Sequence, residues 1–255
     1  MQTIAYLDEN NLLLDVQSAY RHGHSTERAL LKVFSDPIDA MGSSRLVFLS
    51  QLDLSAAFDT VDRDILRQRM SRSFGITGKS LQWIECSQCF CRVTPRKLTT
   101  GIPQGSVLRQ LLFTLYTADI GTVIKAHGLF HHSYAADNQL YSSCFPSDRD
   151  ILRSKIISCI EDVGQWMASN RWKLNPSKSE FLSCATARRL HLGEHSALHL
   201  SDGDVTPASS VRNLGAYFNE SMDVSTNVNM LVSSSFYRLR RARTIRRSIQ
   251  TSTAI

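Results

Sequence analysis

The sequence predicts an α+β fold, and three observations carry that expectation. Stretches with helical spacing and short strand-like runs alternate irregularly, which argues against a doubly wound parallel sheet. No repeat period or low-complexity tract runs through the 255 residues, so solenoids and arrays drop out. With 42% hydrophobic and 20% charged residues, the balance is that of a globular chain long enough for one large domain or two small ones.

The elements follow in order. Residues 26–41 set Ala29, Leu30, Val33 and Phe34 on one helical face, with Pro37 as an interruption. Leu46-Val47-Phe48-Leu49 and Leu52-Asp53-Leu54 read as a strand carrying an acid near its end. A helix from about Asp62 turns Ile65, Leu66 and Met70 inward. Residues 89–100 suggest a hairpin, closed by the turn Gly101-Ile102-Pro103. Leu108 to Ile120 reads as a second apolar helix. Residues 128–143 give two short strands around a tight turn at Ala136-Asp137-Asn138. Ile151 to Asn170 is a long amphipathic helix with Leu152, Ile156, Ile160, Val163 and Trp166 on its apolar side. Short strands follow Pro176, the last containing Gly215, and a basic helix starts at about Val228.

Composition narrows the function. The formal net charge is +6 and the pI about 9.1, a balance suited to a polyanionic partner. Six irregularly spaced cysteines do not form a disulfide framework and read as reduced thiols. No apolar run approaches the ~18–20 residues of a membrane span. The start, MQTIAYLDENN, lacks the regions of a secretory signal. The expectation is an intracellular protein, of nucleus or cytoplasm.

Three segments carry chemistry. Leu52-Asp53-Leu54-Ser55-Ala56-Ala57-Phe58-Asp59 puts an acid at a strand end, which suits either a cation-facing carboxylate or a helix cap. Gly101-Ile102-Pro103-Gln104-Gly105-Ser106 lets backbone approach a ligand just before a helix, though such turns are common. Tyr134-Ala135-Ala136-Asp137 puts a second acid at a strand junction, where turn chemistry alone would also account for it.

In order and spacing, these three segments resemble the palm motifs of reverse transcriptases from non-LTR retrotransposons. Gln17-Ser18-Ala19-Tyr20-Arg21-His22-Gly23-His24-Ser25-Thr26 resembles the fingers segment upstream of them. Asn175-Pro176-Ser177-Lys178-Ser179-Glu180 and Asn213-Leu214-Gly215-Ala216-Tyr217-Phe218 resemble the two later palm motifs. Six ordered matches over roughly residues 12–250 are more specific than any one alone. The resemblance implies a right-hand polymerase palm with partial fingers and the start of a thumb. Residues from about 1 to 52 would be partial fingers, 53–220 mainly palm, and 221–255 the beginning of a truncated thumb.

The resemblance also implies an RNA-directed DNA polymerase acting on an RNA template, a DNA primer and deoxynucleoside triphosphates. Asp53 and Asp137 would be the acidic positions at two Mg2+ ions, and Lys178 would sit near the leaving pyrophosphate. Phe58 would lie under the incoming sugar, and Gln104 and Gly105 would line the nucleotide pocket. Clustered carboxylates are needed because two metals must hold the attacking and leaving oxygens in line. This chain departs from the pattern in its turn motif, where the family has Tyr-x-Asp-Asp and Ala136 stands in the slot of the first Asp. A one-residue slip of Asp137 into the vacancy would turn the whole hairpin over. Arg109-Gln110 also stands where the family has Gly-Pro. These departures imply a decayed or truncated element copy with impaired catalysis, or a nucleic-acid-binding remnant without chemistry.

Three other patterns have plainer readings. His191-Leu192-Gly193-Glu194-His195 fits an inverted zinc-peptidase motif, with His199 as a third ligand, but Gly193 speaks against a firm helix. Cys86, Cys89 and Cys91 have no second pair at zinc spacing and read as free thiols. Six arginines between 238 and 247 line a helix whose apolar stripe is Phe236, Leu239, Ala242, Ile245 and Ile249. The resemblance makes this helix thumb, so Arg238, Arg240, Arg241 and Arg243 are expected to contact nucleic-acid phosphates.

Overall fold

The computed structural model describes residues 2–13, 16–21, 23–54, 58–88, 100–102, 108–174, 178–201 and 203–246. Its centre is an antiparallel sheet of β1 (Leu46–Asp53), β2 (Phe130–Tyr134), β3 (Asp137–Cys144) and β4 (Glu180–Cys184), in the order β2-β3-β1-β4. β1 is central, and its first four residues, Leu46 to Leu49, are all apolar because both its faces are covered. Phe48 and Leu52 join Leu140 and Phe181 in one core; Val47 and Leu49 join Tyr141, Leu182 and Cys184 in the other. The free edge of β2 is covered by residues 16–18: Ser133 N donates to Val16 O at 2.8 Å and Ser18 N to Ser133 O at 3.0 Å.

Helices fill the first core. They include α3 (Arg63–Arg72), α5 (Arg109–Thr117) and α7 (Arg149–Ser169), which bury Leu66, Phe113, Tyr116, Ile156, Ile160 and Val163. Asp62 caps α3, accepting from the N–H groups of Asp64 at 2.9 Å and Ile65 at 3.1 Å. The second core is closed by α2 (Thr26–Gly42) and by the hairpin of β7 (Ser210–Asn213) and β8 (Ala216–Asn219). The remaining elements are α1 (Gln2–Glu9), α4 (Gly78–Gln88), α6 (Ile120–Ala126), the hairpin of β5 (Leu198–Leu200) and β6 (Gly203–Val205), and α8 (Ser225–Ile245). No helix among the described residues is long and apolar enough to cross a membrane.

Four local expectations change. Pro37 lies inside α2 without ending it, because Ala29, Val33, Pro37 and Met41 form one buried stripe and the packed ring offsets the lost hydrogen bond. The apolar helix expected over 108–120 breaks into α5 and α6 at Asp119, whose carboxylate pairs with Arg69 at 2.8 Å. The tight turn between β2 and β3 falls at Ala135-Ala136, so Asp137 and Asn138 belong to β3. Gly215 occupies the turn between β7 and β8, where Leu214 and Gly215 have φ of +47° and +93°. Of the hairpin expected over 89–100, residues 89–99, with Cys89 and Cys91, lie outside the described residues, and Thr100 bridges to Asp62.

Candidate active site

At one end of the sheet, the backbone register makes Asp53 and Asp137 direct Cα partners. The N–H of Leu54 donates to Ala136 O at 3.4 Å, so residue 136 sits beside the end of β1. Tyr134 pairs with Asp137 across a turn of two residues, and Ala135 takes a φ of +55°. Such a turn favours glycine or asparagine. Here Gln17 supplies compensation: its Nε2 donates to Ala135 O at 3.3 Å, and its Oε1 accepts from the N–H groups of Ala135 and Ala19, both at 3.0 Å. From the sheet side, Asn138 Nδ2 donates to Ala136 O at 3.0 Å, and its Oδ1 accepts from Ser133 Oγ at 2.5 Å. These hydrogen bonds use only the backbone of residue 136, and the Ala136 methyl group packs partly buried against the first core.

Two pairs below the acids, His132, Gln139, Gln51 and Glu180 are register partners across all four strands. Gln139 Nε2 donates to Asn213 Oδ1 at 2.7 Å, and Gln51 Nε2 to Arg212 O at 3.4 Å. These bonds tether the β7–β8 hairpin to the sheet beside the acidic positions. Burial pushes both His131 and His132 down to about 4, and it raises the Glu180 carboxyl. Burial also raises the hydroxyl of Tyr20, which lies within electrostatic reach of Tyr134, Arg109 and Asp137. Sequence reasoning passed over Gln17, Gln51, Gln139 and His132 as site residues. Period two along each strand would have found Gln51 and Gln139, each two residues from an acid on its own strand. Gln17 has no such local signal.

A second group lies where β1 runs out. Phe58 stacks on Phe113 at 4.0 Å and 22°, and the guanidinium of Arg109 sits 4.9 Å over the Phe58 ring. Arg109 also pairs with Asp59 at 3.0 Å. Ile102 N donates to Phe58 O at 3.1 Å and Gly101 N to Val61 O at 2.8 Å, zipping the two segments together. Only glycine fits at 101: φ is +78°, and a Cβ there would lie 2.8 Å from Asp59 O. Gln104 and Gly105 lie outside the described residues.

The remaining candidates are more scattered. Lys178 is exposed, two residues ahead of β4. Arg238, Arg240, Arg241 and Arg243 project from α8, a helix of 21 residues of which none is buried. In the zinc-like motif, Glu194 is buried against Arg153 at 3.3 Å and accepts from Ser196 N at 2.8 Å, while His199 pairs with Asp204 at 2.9 Å. Among the described residues, no three His, Cys, Asp or Glu side chains converge on a point that could hold a metal.

Comparison with known proteins fits this geometry. Residues 1–218 match the family model described as reverse transcriptase (RNA-dependent DNA polymerase). The probable RNA-directed DNA polymerase from transposon BS of Drosophila melanogaster is 30% identical over 121 residues, covering 45% of this chain and 13% of the fly protein. Apo telomerase of Candida tropicalis, truncated from its C-terminal domain, superposes with a TM-score of 0.56 at 12% identity, over 88% of this chain and 43% of that one. Telomerase of Candida albicans, solved with a fragment of telomeric RNA, gives 0.55 at 11% identity, over 88% and 36%. At these identities the telomerases speak for the fold, and the chain spans less than half the length of each relative.

Proposed function

The chain belongs to the reverse transcriptase family and has the right-hand polymerase palm, and on that premise we propose that it is the polymerase domain of a non-LTR-type retrotransposon whose catalytic centre has lost a carboxylate. Residues before about 52 act as partial fingers, 53–220 as palm, and those from 221 as the start of the thumb. Asp53 and Asp137 are the acids that remain, Phe58 carries the incoming sugar, and Gln104 and Gly105 line its pocket. Lys178 lies towards the leaving pyrophosphate. Arg238, Arg240, Arg241 and Arg243 hold the backbone of a template–primer duplex.

The observation that carries this reading is the pairing of positions 53 and 137 across β1 and β3, with alanine at 136 in a turn held by Gln17 and Asn138. The family's reaction uses Mg2+ to organise the triphosphate and the primer 3′-oxygen. The donor set here does not fit a two-ion centre. Position 136 offers a methyl group where a bridging carboxylate is required, and among the described residues no group of three or more His, Cys, Asp or Glu side chains could hold a metal. No catalytic step is therefore assigned to this chain as it stands. Its retained capacity is to bind RNA, DNA and nucleotides.

Primer extension on an RNA template with Mg2+ tests the reading, comparing this chain with Ala136→Asp. Removing one group that stabilises developing charge slows an enzyme by about 10²–10³. The unmodified chain should extend at background and the Ala136→Asp form at least about a hundredfold faster. Equal rates would refute the assignment of Ala136 as the disabling residue. Silence of both forms, with duplex binding intact, would leave the nucleic-acid-binding remnant as the function.

A further inference from the structure

We propose that Arg109 is a gating residue for nucleotides: it closes the open face of Phe58, and a nucleotide sugar reaches that ring only when the Arg109–Asp59 pair opens. The inference rests on the reading of Phe58 as the sugar platform and adds to it a residue that the family pattern does not supply.

The geometry is specific. A ring stacked at 4.0 Å fills the Phe58 face turned to Phe113, so a guanidinium 4.9 Å over the ring must lie on the other face. Phe58 is therefore sandwiched, with neither face free for a ligand. Arg109 is held there by Asp59 at 3.0 Å, and the Arg109 side chain is only 21% exposed. Asp59 itself is fixed from behind, because Gly101 and Ile102 are bonded to the backbone at Val61 and Phe58. The guanidinium thus rests on a platform that does not move with it. The Tyr20 hydroxyl lies within electrostatic reach of both Arg109 and Asp137.

The closure is shallow. The Asp59 side chain is 61% exposed, and an ion pair open to water on one side contributes little. A cation over a partly exposed ring adds a comparable amount. Together they reduce nucleotide affinity by about tenfold, since only the open fraction of molecules accepts the sugar. A paired guanidinium also brings little net charge to attract a triphosphate, so its removal forfeits little.

The test is titration of the full chain with a fluorescent deoxyadenosine triphosphate at fixed Mg2+, with folding of each form checked by circular dichroism. The forms are the unmodified chain, Arg109→Ala, Phe58→Leu, and the two substitutions combined. Gating predicts about tenfold tighter binding for Arg109→Ala, and loss of that gain when Phe58→Leu is added. Unchanged or weaker binding by Arg109→Ala, with Phe58→Leu still harmful, overturns the gate and leaves the platform standing. If Phe58→Leu changes nothing in either background, the platform reading fails and the gate with it. Absence of binding in all four forms also overturns the proposal.

Discussion

The acidic end of the sheet and helix α8 both carry candidate functional side chains, and they are supported in opposite ways. Around Ala135 and Ala136 the backbone is bonded by Gln17 from far upstream, Asn138 from β3 and Leu54 from the end of β1. Helix α8 buries no residue, and its first turn is bonded to the preceding hairpin, where Tyr217 N donates to Asn227 Oδ1 and Asn219 Nδ2 to Thr226 Oγ1. At the sheet end, the turn is held with alanine in place of an acid, because its hydrogen bonds use the backbone of residue 136, whose methyl group packs partly buried against the first core. On α8 the arginines are exposed, and the role proposed for them rests on charge. Damage to chemistry and damage to stability are therefore separable in this molecule, by different routes in the two regions.

Acid offers the largest break in that comparison. His131 and His132 are buried beside the hairpin and held down to about 4, both chiefly by burial and His132 also by Lys32. The unfolded chain, with ordinary histidines near 6.5, binds more protons between about pH 4 and 6.5. Their contribution is therefore fully present above pH 6.5 and is lost as pH falls towards 4. Each histidine should cost about 2 kcal/mol of stability by pH 5. Denaturant unfolding at pH 7.5 and 5 checks this, and His132→Gln should flatten the slope. Helix α8 has no such group, so arginine substitutions on it should leave the pH profile unchanged.

Charge removal sharpens the other side. Converting Arg240, Arg241 and Arg243 together to Ala should weaken binding to an RNA–DNA duplex by about tenfold or more at low salt. It should also reduce the slope of log affinity against log salt by up to about 3, near one unit for each phosphate that is no longer neutralised. Thermal stability should hold within about 0.5 kcal/mol, as for exposed sites without packing. A matching loss of stability would mean that α8 packs on a surface which the present geometry does not engage.

How far all this was legible follows the same division. β1 announced itself by the short apolar run Leu46 to Leu49, and α7 by its Leu152, Ile156, Ile160 and Val163 stripe, because burial is written locally in the pattern of apolar residues. The arginines of α8 were legible too, since exposure needs no partner. The turn position was not. Asp137-Asn138 is the better local turn sequence, yet Gln17, 118 residues from Ala135, fixes the turn one step earlier. Pro37 misled for the same reason, its ring being accommodated by a core formed from distant segments. The approach of Arg109 to Phe58 and Asp59 joins segments 50 residues apart and has no signature in either alone.

The central claim is that alanine at 136 removes metal binding while leaving the hairpin in place. Titration with Mn2+, read by electron paramagnetic resonance of the free ion, addresses it without requiring turnover. This chain should leave nearly all Mn2+ free, whereas Ala136→Asp should bind it at least about tenfold more tightly with an unchanged unfolding midpoint. Tight binding of Mn2+ by the unmodified chain, equal to that of Ala136→Asp, would contradict it.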